Sequence, residues 1–101
     1  MVAVLKSWVD PATQYGVPLT ELRSGVEARV VCIQGADDAA GHELALRLSE
    51  LGFLPGERVR IVARGFLTGE PLAVRVGTGT FALRRFEAAV IRVEPEGPLR
   101  G

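Results

Sequence analysis

Leu48-Ser-Glu-Leu-Gly-Phe-Leu-Pro-Gly-Glu-Arg-Val-Arg-Ile61 packs a helix end, a turn and a strand start into one short run. Upstream of it, Ala40, Leu44, Leu48 and Leu51 recur at i, i+4, i+8 and i+11, which predicts an amphipathic helix. Gly52 follows where a left-handed residue should close that helix, so the helix should stop at about Leu51. Asp37 or Asp38 can cap its other end, because a short carboxylate accepts from the first free N–H groups. Glu43 and Arg47 are set in the favourable i, i+4 order for an ion pair.

Downstream, Leu54-Pro55-Gly56-Glu57 has type II turn chemistry, with Pro presetting φ and Gly tolerating a positive φ. The hydrophobic period then changes to two. In 57–64, Val59, Ile61 and Ala63 face one way and Arg58, Arg60 and Arg64 the other. Residues 72–76, 80–84 and 90–94 alternate in the same manner, and Gly77-Thr-Gly79 forms a tight connection. A β-branched run at 26–33 supplies a strand before the helix. The result is a mainly β domain: a small five-stranded barrel with one α-helix inserted after the first strand, each strand lending an apolar face to a single core.

The chain has 101 residues, enough for one core and no more. Its hydrophobic fraction of 48% excludes disorder as the general state. The boundaries read as an N-terminal extension at 1–18, the domain at 19–95 and a flexible tail at 96–101. Trp8, with Val2, Val4 and Leu5, could cover the barrel or pair two chains in a homo-oligomer. The single Cys, Cys32, excludes a disulfide framework within the chain. No run approaches the roughly 20 apolar residues that span a bilayer, and the N-terminus lacks a signal-peptide pattern. These features predict a cytoplasmic protein.

Leu19-Thr-Glu-Leu22, Gly25, Leu48 to Gly56, Val59-Arg-Ile61 and Phe81-Ala-Leu-Arg-Arg-Phe-Glu-Ala-Ala-Val-Ile91, taken in order, resemble the FeoA family. The resemblance implies an SH3-like barrel. It also implies a non-enzymatic accessory role beside FeoB, the membrane ferrous-iron transporter with a cytosolic GTP-binding domain. The same module resembles the C-terminal domain of iron-dependent repressors of the diphtheria-toxin-repressor type. That makes a metal-responsive regulatory module the alternative, although no helix-turn-helix accompanies it here. A small arginine-rich nucleic-acid-binding barrel is the further alternative. Nucleic acid is not expected, because base stacking needs exposed aromatics, and of the four Phe only Phe66 and Phe86 suit the surface.

Catalytic sets are missing. One Cys and one His, ten positions apart, do not make an activated nucleophile with an orienting third group. Gly77-Thr-Gly79 lacks the helix and Lys of a phosphate loop. Asp38 and His42 are i, i+4 and form a weak metal pair, since two ligands are too few for a closed site. No cofactor is required; a transition metal, Fe or Zn, would need ligands from elsewhere.

The arginines carry more information. Residues 1–50 hold four basic against seven acidic side chains, and residues 51–101 hold eight against five. The formal net charge of zero therefore conceals an acidic first half and a basic second half. Arginine suits bidentate pairing with carboxylates, so Arg64, Arg75, Arg84 and Arg85 are candidates for meeting an acidic partner. Leu51, Phe53 and Leu54 form an apolar segment beside them. Phe53 can either plug the barrel end or help to grip the partner.

Overall fold

The computed structural model describes residues 16–96. Trp8 with its apolar neighbours, and the tail beyond Glu96, lie outside the described residues. The elements run β1 (Val17–Pro18), a 3-10 turn (Leu19–Glu21), β2 (Ala28–Ile33), α1 (Ala39–Leu51), β3 (Arg58–Arg64), β4 (Leu72–Val76), β5 (Gly79–Leu83), α2 (Arg85–Ala89) and β6 (Ile91–Pro95). The six strands form one antiparallel sheet in the order β1-β6-β2-β3-β4-β5.

All five expected strands are present. The sixth is the two-residue β1, which pairs Val17 with Val93 and extends the folded region two residues before the expected boundary. At the other end, the Glu96 N–H donates to the Glu27 carbonyl at 2.9 Å, so the first residue of the expected tail is tied to the sheet.

Local chemistry explains the helix. Asp38 is its N-cap and accepts from the Gly41 N–H at 2.8 Å. Gly52 closes it at φ 118°, a left-handed value that a side chain would resist. The turn that follows is as expected: the Glu57 N–H reaches the Leu54 carbonyl at 3.0 Å, and Gly56 has a positive φ of 91°.

The core gathers Leu19 and Leu22 from the 3-10 segment, Leu48 from α1, Phe53, and the inward residues of β2, β3, β4 and β6. Val59, Ile61, Leu72, Val74, Val76, Leu83, Ile91 and Val93 are all buried, which confirms the period-two reading. Ala63 departs from it and is exposed. The register between β3 and β4 shifts between Ile61 and Ala63, and such a bulge breaks the alternation.

The short helix α2 was not expected. Glu87 makes it: one carboxylate oxygen accepts from the Arg84 backbone N–H at 2.8 Å, the reciprocal arm of a capping box. Its other oxygen meets the Arg47 guanidinium of α1. Arg47 thus joins two helices across the chain, where an i, i+4 pair with Glu43 was expected.

Candidate functional site

The outward residues of β2, β3 and β4 build an arginine-lined groove. Arg29 lies directly opposite Arg58 across the β2–β3 pair. Arg60 lies directly opposite Arg75 across β3–β4. Glu27, Gly56, Glu57, Val59 and Gly77 complete a hollow of about 430 Å³. Like charges facing each other across strands destabilise a sheet, so two such pairs in one hollow need a compensating reason.

Part of the compensation is internal. Arg29 donates to the Gly56 carbonyl at 2.9 Å and pairs with Glu96 at 2.5 Å. Arg58 reaches the same carboxylate at 3.5 Å, and Arg60 reaches Glu27 at 3.5 Å. The Glu27 carboxylate is 44% exposed and that of Glu96 27%, and ion pairs open to solvent hold weakly. Among the described residues no carboxylate pairs with Arg75.

The groove continues into an apolar notch of about 350 Å³ that shares Glu57 and Gly77 with it. Leu51, Leu54, Val76 and Phe81 line the notch. Leu54 is 47% exposed, held out by the type II turn. Phe53 points the other way and is fully buried, with its ring centroid 6.3 Å from that of Phe81. It plugs the core and presents nothing to a partner.

The structure separates the candidate arginines. Arg75 stands in the groove beside the notch. Arg64 lies at the far end of β3 and donates to the Thr20 and Leu22 carbonyls at 3.1 and 2.7 Å, fastening the 3-10 turn. Arg84 and Arg85 flank the loop that joins β3 to β4, where Glu70 lies within 3.8 and 3.6 Å of their guanidiniums. Arg29, Arg58 and Arg60 were not singled out. The alternation Arg58-Val-Arg60 was visible, but which arginines face them depends on register between strands.

Asp38 and His42 do not converge. The Asp38 carboxylate is engaged by the helix N-terminus, and His42 Nε2 lies 3.5 Å from Asp37 instead. Among the described residues no three His, Cys, Asp or Glu side chains gather as a metal set. No helix among them is long and apolar enough to cross a membrane.

An antiparallel sheet around one core, a single capped helix after the first long strand, and a charged groove running into an apolar notch define a small SH3-like domain. The FeoA domain model matches residues 17–95, and the chain belongs to the FeoA family. Among solved structures it resembles the zinc complex of Stenotrophomonas maltophilia FeoA, described as a prokaryotic SH3-domain protein and a candidate ferrous-iron-transport activating factor. That match has a TM-score of 0.66 at 46% identity and covers 78% of this chain and 91% of that one. It also resembles iron(II) transport protein A of Clostridium thermocellum, with a TM-score of 0.66 at 32% identity over 79% of this chain and 46% of that one. FeoA of Chlorobium tepidum matches with a TM-score of 0.65 at 27% identity, over 80% of this chain and 71% of that one. No curated protein matches the chain.

Proposed function

We propose that this chain is a non-enzymatic accessory module that docks onto the cytosolic part of a FeoB-type ferrous-iron transporter. It works on the cytoplasmic face of the membrane, and GTP chemistry belongs to the transporter. The groove of Arg29, Arg58, Arg60 and Arg75 receives an acidic segment, and the notch between Leu51, Leu54 and Phe81 receives an adjoining apolar side chain.

The observation that carries this reading is the pair of facing arginines, Arg60 and Arg75, kept in register despite their repulsion. An incoming carboxylate placed between them gains charge-assisted hydrogen bonds from both. The description of the Stenotrophomonas relative as a candidate activating factor for ferrous-iron transport supports the choice of partner. Co-purification with the transporter, and ferrous uptake in a strain lacking this protein, test the role. Reduced uptake restored by the intact gene is expected; normal uptake in the deletion strain would remove the accessory role.

A further inference from the structure

At the opposite end of the β3–β4 ribbon from the groove, residues 65–71 form a closed loop. The Gly65 N–H donates to the Pro71 carbonyl at 3.1 Å, and the Gly69 N–H to the Gly65 carbonyl at 3.0 Å. The Glu70 N–H donates to the Thr68 hydroxyl at 3.2 Å. Gly65 is required there, because a Cβ would collide with the Glu70 backbone. Arg85 clamps the loop from outside: its backbone N–H donates to the Glu70 carboxylate at 2.7 Å, and its guanidinium to the Thr68 carbonyl at 2.9 Å. The N–H groups of Gly65, Gly69 and Glu70 are thus satisfied within the loop. The two large apolar side chains at the tip, Phe66 and Leu67, are 97% and 88% exposed.

This arrangement inverts the usual surface loop, which keeps its apolar groups covered. The charges at its base are predominantly positive, three arginines against one carboxylate. Arg64, Arg84 and Arg85 surround it, and the carboxylate among them, Glu70, is already met by both Arg84 and Arg85. Arg64 is held by carbonyls, so its charge stays uncompensated by any contact it makes.

We propose that this loop is a membrane-contacting prong, with Phe66 and Leu67 entering the boundary between headgroups and acyl chains of an anionic bilayer while Arg64, Arg84 and Arg85 meet the headgroups. Two residues at a convex tip offer far less than the roughly 800 Å² per partner of a stable protein interface. Entry into a bilayer needs only an apolar end reaching about 5–10 Å deep and a basic collar. The surface is separate from the docking groove and its test contains no transporter, so the failure of either idea leaves the other standing.

The test is co-sedimentation of the full chain with vesicles of mixed phosphatidylglycerol and phosphatidylcholine, and with vesicles of phosphatidylcholine alone. The protein should sediment with the anionic vesicles and bind neutral ones at least about tenfold more weakly. Phe66→Ser combined with Leu67→Ser should lose at least about tenfold in anionic-vesicle binding, with an unchanged unfolding midpoint because both positions are exposed. Two results would overturn the proposal: absence of the intact chain from the anionic-vesicle pellet, or binding of the double variant equal to that of the intact chain.

Discussion

Arg60 and Arg75 stand directly opposite each other on adjacent antiparallel strands, and the Arg60 guanidinium turns to Glu27 while no described carboxylate meets Arg75. A cross-strand pair of like charge weakens a sheet by a few tenths of a kcal/mol up to about 1 kcal/mol. Arg75→Gln should therefore raise the unfolding midpoint by roughly 1–4 °C. A thermal melt followed by circular dichroism checks the sign. A lowered midpoint would mean that Arg75 stabilises the sheet, and the pair would no longer point to a binding role.

Phe53 and Leu54 are neighbours with opposite duties. Phe53 is fully buried against the core, so Phe53→Ala should cost about 3–5 kcal/mol, a large part of the total stability of a domain this size. Leu54 is held outward at the notch, so Leu54→Ala should cost under about 1 kcal/mol while weakening partner binding. Urea unfolding of the two variants separates these duties.

Much of this was legible beforehand, and the reasons differ by element. The strand positions followed from alternation, and α1 followed from its apolar spacing, its Asp cap and Gly52. Ala63 was misplaced because a bulge is set by pairing with β4, which no local pattern reveals. The α2 helix was missed because its N-cap is Arg84, not a usual capping residue, and Glu87, which accepts from the Arg84 N–H, is fixed through Arg47, forty positions away. The site was half legible for the same reason. Arg75, Leu51 and Leu54 were visible as candidates, but the register that sets Arg29 against Arg58 and Arg60 against Arg75 belongs to the folded sheet.

Glu87 holds α2 to α1 with both carboxylate oxygens and is nearly buried. Glu87→Ala removes the acceptor of the Arg84 N–H at the start of α2 and the partner of Arg47, and should cost about 1–3 kcal/mol. Arg47→Ala should cost less, because the Arg47 side chain is half-exposed. Chemical denaturation of the two single variants checks the ranking; equal losses would mean that the ion pair alone carries the effect.

Asp38 and His42 make a further contrast at the start of α1. Asp38→Ala removes the N-cap and should cost about 1 kcal/mol. His42→Ala, at an exposed position, should change stability by no more than about 0.5 kcal/mol. Thermal melts of both variants measure this.

The most direct test is the affinity of Arg75→Glu for the isolated cytosolic domain of the FeoB-type transporter, measured by titration calorimetry against the intact chain. The substitution places a carboxylate opposite Arg60, so the fold should be kept and even strengthened. Binding should fall at least about tenfold, since a repulsive charge now occupies the groove meant for an acidic segment. Undiminished affinity in a folded Arg75→Glu variant would contradict docking through this groove.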